Sequence, residues 1–174
     1  MLGRDARQGM RRLARALALA GLFGAAFGAR YGPLAAAVHA LGVPLAFVAI
    51  ASFAAPAFYI ALWHLGAEIE AGALAQATVS GVEDAGRLLG GMAPGMLLFG
   101  TTLESRGMCA FFAAGGLTLA VSLGLRTMTR EVRSAVASPG ATRVRLATWP
   151  FYGFALLLAA RVWWGVLPAL GGAT

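Results

Sequence analysis

The chain has 174 residues, of which 59% are apolar and 12% are charged, with a mean hydropathy of +0.75 and a formal net charge of +7. A typical soluble domain has about 25% charged residues, so this composition excludes an ordinary water-soluble domain and indicates an integral membrane protein. All fourteen basic residues are arginines, and most of them cluster beside apolar runs, which argues against a nucleic-acid partner and for a membrane topology signal.

Charge-poor windows predict the transmembrane elements. A bilayer core about 30 Å thick needs roughly 20 apolar residues in a helix. Windows near this length predict spans at about 13–30, 41–65, 71–102, 107–126 and 146–170. We therefore predict an all-α fold, a polytopic transmembrane helical bundle of about five spans that forms a single membrane domain over residues 1–174.

The first two predicted spans differ in strength. The first is short and carries Arg15, and it has two interpretations: a retained span, or a cleaved signal peptide with Ala26 and Gly28 at the cleavage positions. The second lies in the longest charge-free segment, 31–67, and contains Pro44 and Pro56 as candidate helix breaks or packing sites.

The third predicted span, 71–102, is too long for one upright crossing, since its helix would reach about 48 Å at 1.5 Å per residue. It is either one tilted span, or an interfacial helix followed by a short span that is broken near Gly91, Pro94 and Gly95. The pairs Gly24 with Gly28 and Gly91 with Gly95 also match the small-residue spacing that lets membrane helices approach closely.

Arginine-rich segments at 1–12 and 127–145 predict the topology. Short cytoplasmic segments are enriched in basic residues, and four predicted spans separate these two segments, so both are expected on the cytoplasmic side. We predict a multi-pass protein of the cell inner membrane with a cytoplasmic N-terminus. The arginines with helical spacing in these regions are topology determinants or ligands of anionic lipid headgroups: Arg4, Arg7, Arg11, Arg15, Arg126, Arg130 and Arg133.

Ionisable residues within the apolar windows are candidate functional groups. Arg161 either faces other helices or reaches the headgroups in an aromatic belt with Trp163 and Trp164. Glu83, Asp84 and Arg87 have the spacing of a helical ion pair, which either gates or binds a cation or proton, or forms a membrane-surface turn.

The remaining chemistry-bearing residues predict no reaction centre. His39 and His64 are 25 positions apart in the sequence, so we expect structural or interfacial histidines and no metal site. No nucleophile elbow, phosphate-binding glycine loop or His-Glu-x-x-His motif is present in the sequence. We predict no catalytic residues, no cofactor and no enzymatic activity.

Several motifs occur in an order that resembles a known group. They are the run 37–45, Pro56 to Tyr59, Gly91 to Pro94, Trp149 to Tyr152, and Trp164 to Pro168. In this order they resemble a group of uncharacterised bacterial multi-span inner-membrane proteins with Lys-Val-Pro, Leu-Ala-Pro and Trp-x-Leu-Arg-Pro elements, and the plan is similar to the five-span Ypt/Rab-interacting (Yip-type) family. The resemblance implies a multi-pass membrane protein of unassigned role. The chain departs from the group by having Gly42 in place of Lys, Leu167 in place of Arg, and Arg161 at a position usually held by Gln.

Three hypotheses about function follow from these patterns. The preferred hypothesis is a non-enzymatic membrane-organising or partner-anchoring bundle, with the lipid bilayer and a protein partner or a second copy of the chain as its partners. The alternative is a small transporter or channel that uses Arg161 and a broken helix around Pro94. An intramembrane enzyme is a distant third hypothesis.

Overall fold

The protein is a bundle of long helices, and this confirms the predicted all-α fold. The computed structural model describes residues 2–67, 69–103, 105–136 and 138–166, with the side chains of 2–6, 106, 138–143 and 166 excluded. No strand occurs over this part of the chain. The described helices are α1 (Leu2–Gly28), α2 (Pro33–His64), α3 (Ala71–Thr102), α4 (Arg106–Ala135) and α5 (Ser138–Val166), with a 3₁₀ turn at Ala29–Tyr31.

Four segments of this bundle are long and apolar enough to cross a membrane. They are Arg7–Tyr31, Pro33–His64, Gly107–Ala135 and Val144–Gly165. The helix α3 has the length but carries Glu83, Asp84 and Arg87 close together in mid-helix, and it is not among these four segments. Residues 167–170 of the predicted fifth span lie outside the described residues.

Short connections with specific turn residues separate the helices. Gly32 has a positive φ of 110°, which favours glycine, and Pro33 follows at the start of α2, where its missing N–H costs no helical hydrogen bond. Ser105 caps α4 by accepting a hydrogen bond from the backbone N–H of Met108 at 3.4 Å. These short connections reverse the direction of the chain, so sequential helices run antiparallel.

Contacts between the helices fix their order across the bundle. α1 packs against α2 and α3, α3 packs against α4, and α5 packs against α2 and α4. Ala16 of α1 lies against Gly86 of α3, and Leu19 lies against Gly90, so α1 and α3 run in the same direction. The start of α1 and the end of α4 therefore lie at the same end of the bundle. We name it the arginine-rich end, since it carries the α1 and α4 arginines, as the charge pattern predicts.

Glycines allow the closest helix contacts. A Cβ atom on Gly24 would overlap the carbonyl group of His39, and one on Gly28 would lie 2.5 Å from the carbonyl oxygen of Ala35. Gly81 of α3 and Gly124 of α4 face each other in the same way. A Cβ on Gly81 would lie 2.6 Å from the carbonyl oxygen of Gly124, and one on Gly124 would lie 2.7 Å from the carbonyl oxygen of Gly81. Such small-residue contacts are typical of helices that associate in membranes, where backbones gain dispersion energy by close approach.

Large apolar side chains fill the interior, and others cover the outside. Phe58 of α2 stacks on Phe151 of α5 with ring centroids 4.2 Å apart, and both rings are buried. On the outer surface, Leu34 is 80% exposed and Leu157 is 74% exposed. A helical bundle with this many large apolar side chains on its outside is typical of a protein surrounded by lipid.

The predicted break in the third span is wrong. α3 runs without interruption through Gly91, Pro94 and Gly95, which agrees with one long helix. Proline keeps φ near the helical value and removes a single backbone donor, so the turns on either side can continue the helix. Gly91 and Gly95 are not packing sites either, because a Cβ at each would meet no atom within 4 Å.

The prolines of α2 do not break it either. Pro44 and Pro56 both lie inside the continuous helix Pro33–His64. Pro44 is half-buried in the α1–α2 contact, where its ring lies 3.5 Å from a Cβ placed on Gly21. Pro56 is exposed. Pro44 is therefore a packing site and not a helix break, whereas Pro56 is neither.

Candidate functional site

A basic groove lies between α4 and α5 at the arginine-rich end, and it is the candidate functional site. Its volume is about 550 Å³. We name it the arginine groove. It is lined by Arg126, Thr129, Arg130 and Arg133 of α4 and by Arg145, Thr148, Trp149 and Tyr152 of α5.

Helical spacing accounts for both walls of the arginine groove. Arg126, Arg130 and Arg133 are separated by four and three positions, and residues at this spacing share one helix face. Arg145, Trp149 and Tyr152 repeat the same spacing on α5. α4 ends at Ala135 and α5 begins at Ser138, so the two helices are antiparallel and turn these two stripes toward each other.

The guanidinium groups of the arginine groove have no partner among the described side chains. Arg126, Arg130, Arg133 and Arg145 are exposed, and none of them has a hydrogen bond or an ion pair with another residue that the structure describes. Among the residues that the structure describes, no acidic side chain lines the groove. Four like charges facing one cavity create a positive potential that attracts anions.

The two threonines of the groove are already satisfied by their own helices. The hydroxyl of Thr129 is buried and donates to the carbonyl of Leu125 at 2.8 Å, and that of Thr148 donates to the carbonyl of Val144 at 2.7 Å. The donors that remain for a bound molecule are the guanidinium groups, the Trp149 indole N–H and the Tyr152 hydroxyl. Guanidinium groups bind phosphate and carboxylate oxygens through paired N–H bonds, so the groove is suited to an oxyanion.

The structure brings Glu83, Asp84 and Arg87 together on α3, near the arginine groove. Arg87 donates to Glu83 at 2.7 Å and to Asp84 at 3.3 Å, and Asp84 accepts a hydrogen bond from the Thr127 hydroxyl of α4 at 2.8 Å. Arg87 is 60% exposed, whereas Glu83 is 12% exposed. An ion pair with one exposed partner adds little stability, so the main structural effect of this cluster is the Asp84–Thr127 link between α3 and α4.

The arginines predicted on α1 lie at the same end of the bundle but outside the groove. Arg7, Arg11 and Arg15 are exposed on α1. The side chain of Arg4 lies outside the described residues. α1 packs against α2 and α3, whereas the groove lies between α4 and α5, so the two arginine clusters are separate surfaces.

Arg161 does not face other helices. It is exposed on α5, while Trp163 is buried in the core at 6% exposure and Trp164 is 62% exposed. Ala155, Ala159 and Trp163 follow each other at four-residue spacing and form the inward face of α5, which places Arg161 on the opposite face. The aromatic belt predicted beside Arg161 therefore includes Trp164 but not Trp163.

The two histidines occupy unlike environments. His39 is buried, with Nδ1 2.8 Å from the carbonyl oxygen of Ala35 and its ring edge-on to Phe27 at 5.1 Å between centroids. His64 is exposed, with Nδ1 2.9 Å from the carbonyl oxygen of Ile60. Within the described ranges, no group of three His, Cys, Asp or Glu side chains is arranged to hold a metal ion.

Two structural roles were missed at the sequence level. Arg30 donates through Nη1 to the carbonyl oxygens of Gly100, at 3.0 Å, and Leu103, and so it caps the end of α3, where helix carbonyls lack intrahelical partners. The signal that could have found it is one arginine standing alone between two long apolar runs. The pairing of Arg145, Trp149 and Tyr152 with the α4 arginines was also missed, although the identical spacing of the two sets was available.

Comparisons with protein-family models, with curated proteins and with solved structures find no match to this chain. The resemblance to the uncharacterised inner-membrane group and to the Yip-type family therefore stays a prediction. Of the positions that depart from that group, Gly42 is buried in α2 and Arg161 is exposed on α5, whereas Leu167 lies outside the described residues.

Proposed function

We propose that this chain is a non-enzymatic helical bundle that organises the membrane or anchors a partner at its arginine-rich end. The observation that carries the proposal is the arginine groove, which four exposed arginines line beside Trp149 and Tyr152 without a hydrogen bond or ion pair to another described residue. Arginine and interfacial aromatic residues together are typical of surfaces where a membrane protein meets headgroups or a partner.

The close-packed helices support an anchoring role. The α1–α2 and α3–α4 contacts pass through Gly24, Gly28, Gly81 and Gly124, and an added Cβ would clash with backbone at each of them. A rigid bundle holds the groove arginines at fixed positions, and preorganised groups lose less entropy on binding.

The proposed location follows from charge. The two arginine-rich segments share one end of the bundle, and basic residues favour the cytoplasmic side, so we place that end in the cytoplasm and the chain in a bacterial inner membrane. The partners we propose are the lipid bilayer itself and a protein partner or a second copy of the chain.

The transport hypothesis loses the two features that motivated it. α3 is continuous at Pro94, and Arg161 is on the outer face of α5. A transporter or channel would still produce a measurable flux, so a flux assay distinguishes anchoring from transport.

The first experiment measures flux. Wild-type chain and Arg161→Gln are reconstituted in liposomes, and proton and solute fluxes are compared with those of protein-free vesicles. We expect both proteins to leave the flux at the protein-free level. A wild-type flux that disappears in Arg161→Gln would overturn the anchoring proposal in favour of transport.

The second experiment looks for the anchored partner in intact cells. A photoreactive benzoylphenylalanine is placed at Trp149, in the groove, or at Trp164, which is also exposed but at the other end of α5. We expect a discrete cross-linked species from Trp149 that is lost when Arg130→Glu reverses the charge beside it. Identical adducts from both positions, or none from Trp149, would contradict anchoring at the groove.

A further inference from the structure

We infer that the arginine groove is a binding site for a phosphate group, carried by the headgroup of an anionic phospholipid or by a soluble phosphate ester. This inference rests on the proposed function, because it names the chemistry of what the arginine-rich end holds. The shared recognition element is the phosphate oxyanion, and the two sources differ only in whether acyl chains accompany it.

The geometry favours phosphate over a single carboxylate. Arg126, Arg130 and Arg133 line the groove from α4 and Arg145 lines it from α5, so both walls carry guanidinium donors. A carboxylate has two oxygens and is matched by one guanidinium fork, whereas a phosphate presents more oxygens and accepts from several forks at once. Four unpaired guanidinium groups therefore fit a phosphate better than one acidic side chain.

The size of the groove points to a phosphate with a group attached. Its volume of about 550 Å³ falls within the roughly 300–1,000 Å³ typical of small-molecule sites. The exposed Trp149 and the half-buried Tyr152 add apolar ring surface with a polar donor at the edge. Such rings are suited to the glycerol or alcohol part of a headgroup at the boundary between water and lipid.

The surface next to the groove is suited to acyl chains. Leu119 and Leu123 are exposed and precede Arg126 at positions that continue its stripe on the same face of α4. On α5, the half-buried Leu156 continues the stripe of Trp149 and Tyr152 on the same helix face. A phospholipid whose phosphate lies in the groove can therefore lay its chains along an apolar track that starts where the arginines end.

The test uses the full chain in nanodiscs of zwitterionic phosphatidylcholine. One arm adds phosphatidylglycerol and counts retained lipid by native mass spectrometry, and the other titrates soluble glycerol 3-phosphate by calorimetry. The groove variant is Arg126→Gln with Arg130→Gln and Arg133→Gln. Each arginine near a membrane surface adds about 1 kcal/mol, or about fivefold in affinity, so we expect the three substitutions together to weaken binding about 125-fold.

Two variants control for charge and for hydrogen-bond geometry. Arg7→Gln with Arg11→Gln and Arg12→Gln removes the same charge from the same end of the bundle, but none of these residues lines the groove. This control should keep binding within about threefold of wild type if the site is specific and the long-range field is largely screened. Lysine at the three groove positions keeps the charge but loses the planar fork, and it should bind with intermediate affinity.

The outcomes separate the two sources of phosphate. Retained phosphatidylglycerol with weak glycerol 3-phosphate binding supports the phospholipid headgroup, and comparable binding of glycerol 3-phosphate supports a soluble ester. Binding of neither probe, or equal losses in the groove and α1 variants, would overturn the inference. A chain that binds neither phosphate probe but still gives the Trp149 cross-link would keep the anchoring proposal and remove only this one.

Misfolding of the triple variant is controlled independently. The substituted side chains are exposed and unpaired, so we expect unchanged helical circular dichroism and unchanged elution from a sizing column. Arg145→Gln changes only the opposite wall and should weaken phosphate binding about fivefold on its own. Full affinity in Arg145→Gln would contradict a site that uses both walls.

Discussion

At the scale of single residues, identical glycines have very different roles in this chain. Gly24 lies where α1 and α2 almost touch, whereas Gly91 faces open space on α3. Both belong to pairs with the same four-residue spacing, so the sequence pattern could not separate them. What separates them is the direction each faces in the bundle, which depends on the neighbouring helix and not on the local sequence.

We expect Gly24→Ala to destabilise the protein by about 1–3 kcal/mol, because the added methyl group overlaps the backbone of His39 and forces the helices apart. Gly91→Ala is the matched control and should be neutral or stabilising by up to about 1 kcal/mol, since alanine favours a helix. Unfolding with increasing denaturant in mixed micelles measures both. Equal unfolding midpoints for the two variants would show that the α1–α2 contact is looser than described.

At the scale of elements, apolar length and charge spacing predicted which segments are helical but not where all of them end. α2 begins eight positions before the predicted span at 41, because the whole charge-free segment is helical from Pro33. α4 likewise continues through Arg126, Arg130 and Arg133 to Ala135, so these arginines are on a helix face and not in a loop. Hydropathy marks where lipid begins, whereas a helix continues until a turn residue or a connection ends it.

The continuity of α3 at Pro94 gives a prediction for the prolines. Pro94→Ala should leave the fold unchanged and stabilise it by up to about 3 kcal/mol, because the exposed proline ring makes way for an intact helical hydrogen bond. Pro56→Ala, also exposed, should behave in the same way. Pro44→Ala should gain less stability, since the ring of Pro44 packs in the α1–α2 contact beside Gly21. Thermal unfolding followed by circular dichroism measures the change in stability for each of the three variants. A loss of helix in Pro94→Ala would indicate that the proline shapes α3.

At the scale of the whole molecule, the direction of the helices brings together residues that are remote in sequence. The charge pattern predicted that the two arginine clusters share one end, and the parallel α1 and α3 put them there. The groove itself depends on how α4 and α5 pair, and neither helix alone predicts it. Long-range pairing of this kind is set by packing across the bundle, which a pattern within one segment does not encode.

Sidedness is testable from the two ends of the bundle. Ser105 lies at the start of α4 and Ser134 near its end, and both are exposed. In a Cys109→Ala background, a membrane-impermeant thiol reagent added to intact cells should label Ser105→Cys and should label Ser134→Cys only after permeabilisation. Labelling of Ser134→Cys in intact cells would reverse the proposed orientation, and labelling of both would contradict a crossing by α4.

The length of α2 has a consequence for the surrounding bilayer. Its 32 residues contain no charge and would measure about 48 Å, against a hydrocarbon core of about 30 Å. Such hydrophobic mismatch is relieved when the helix leans or when nearby acyl chains stretch, and the energetic penalty falls as the membrane thickens. The chain is thus expected to accumulate in the thicker and more ordered regions of a heterogeneous bilayer.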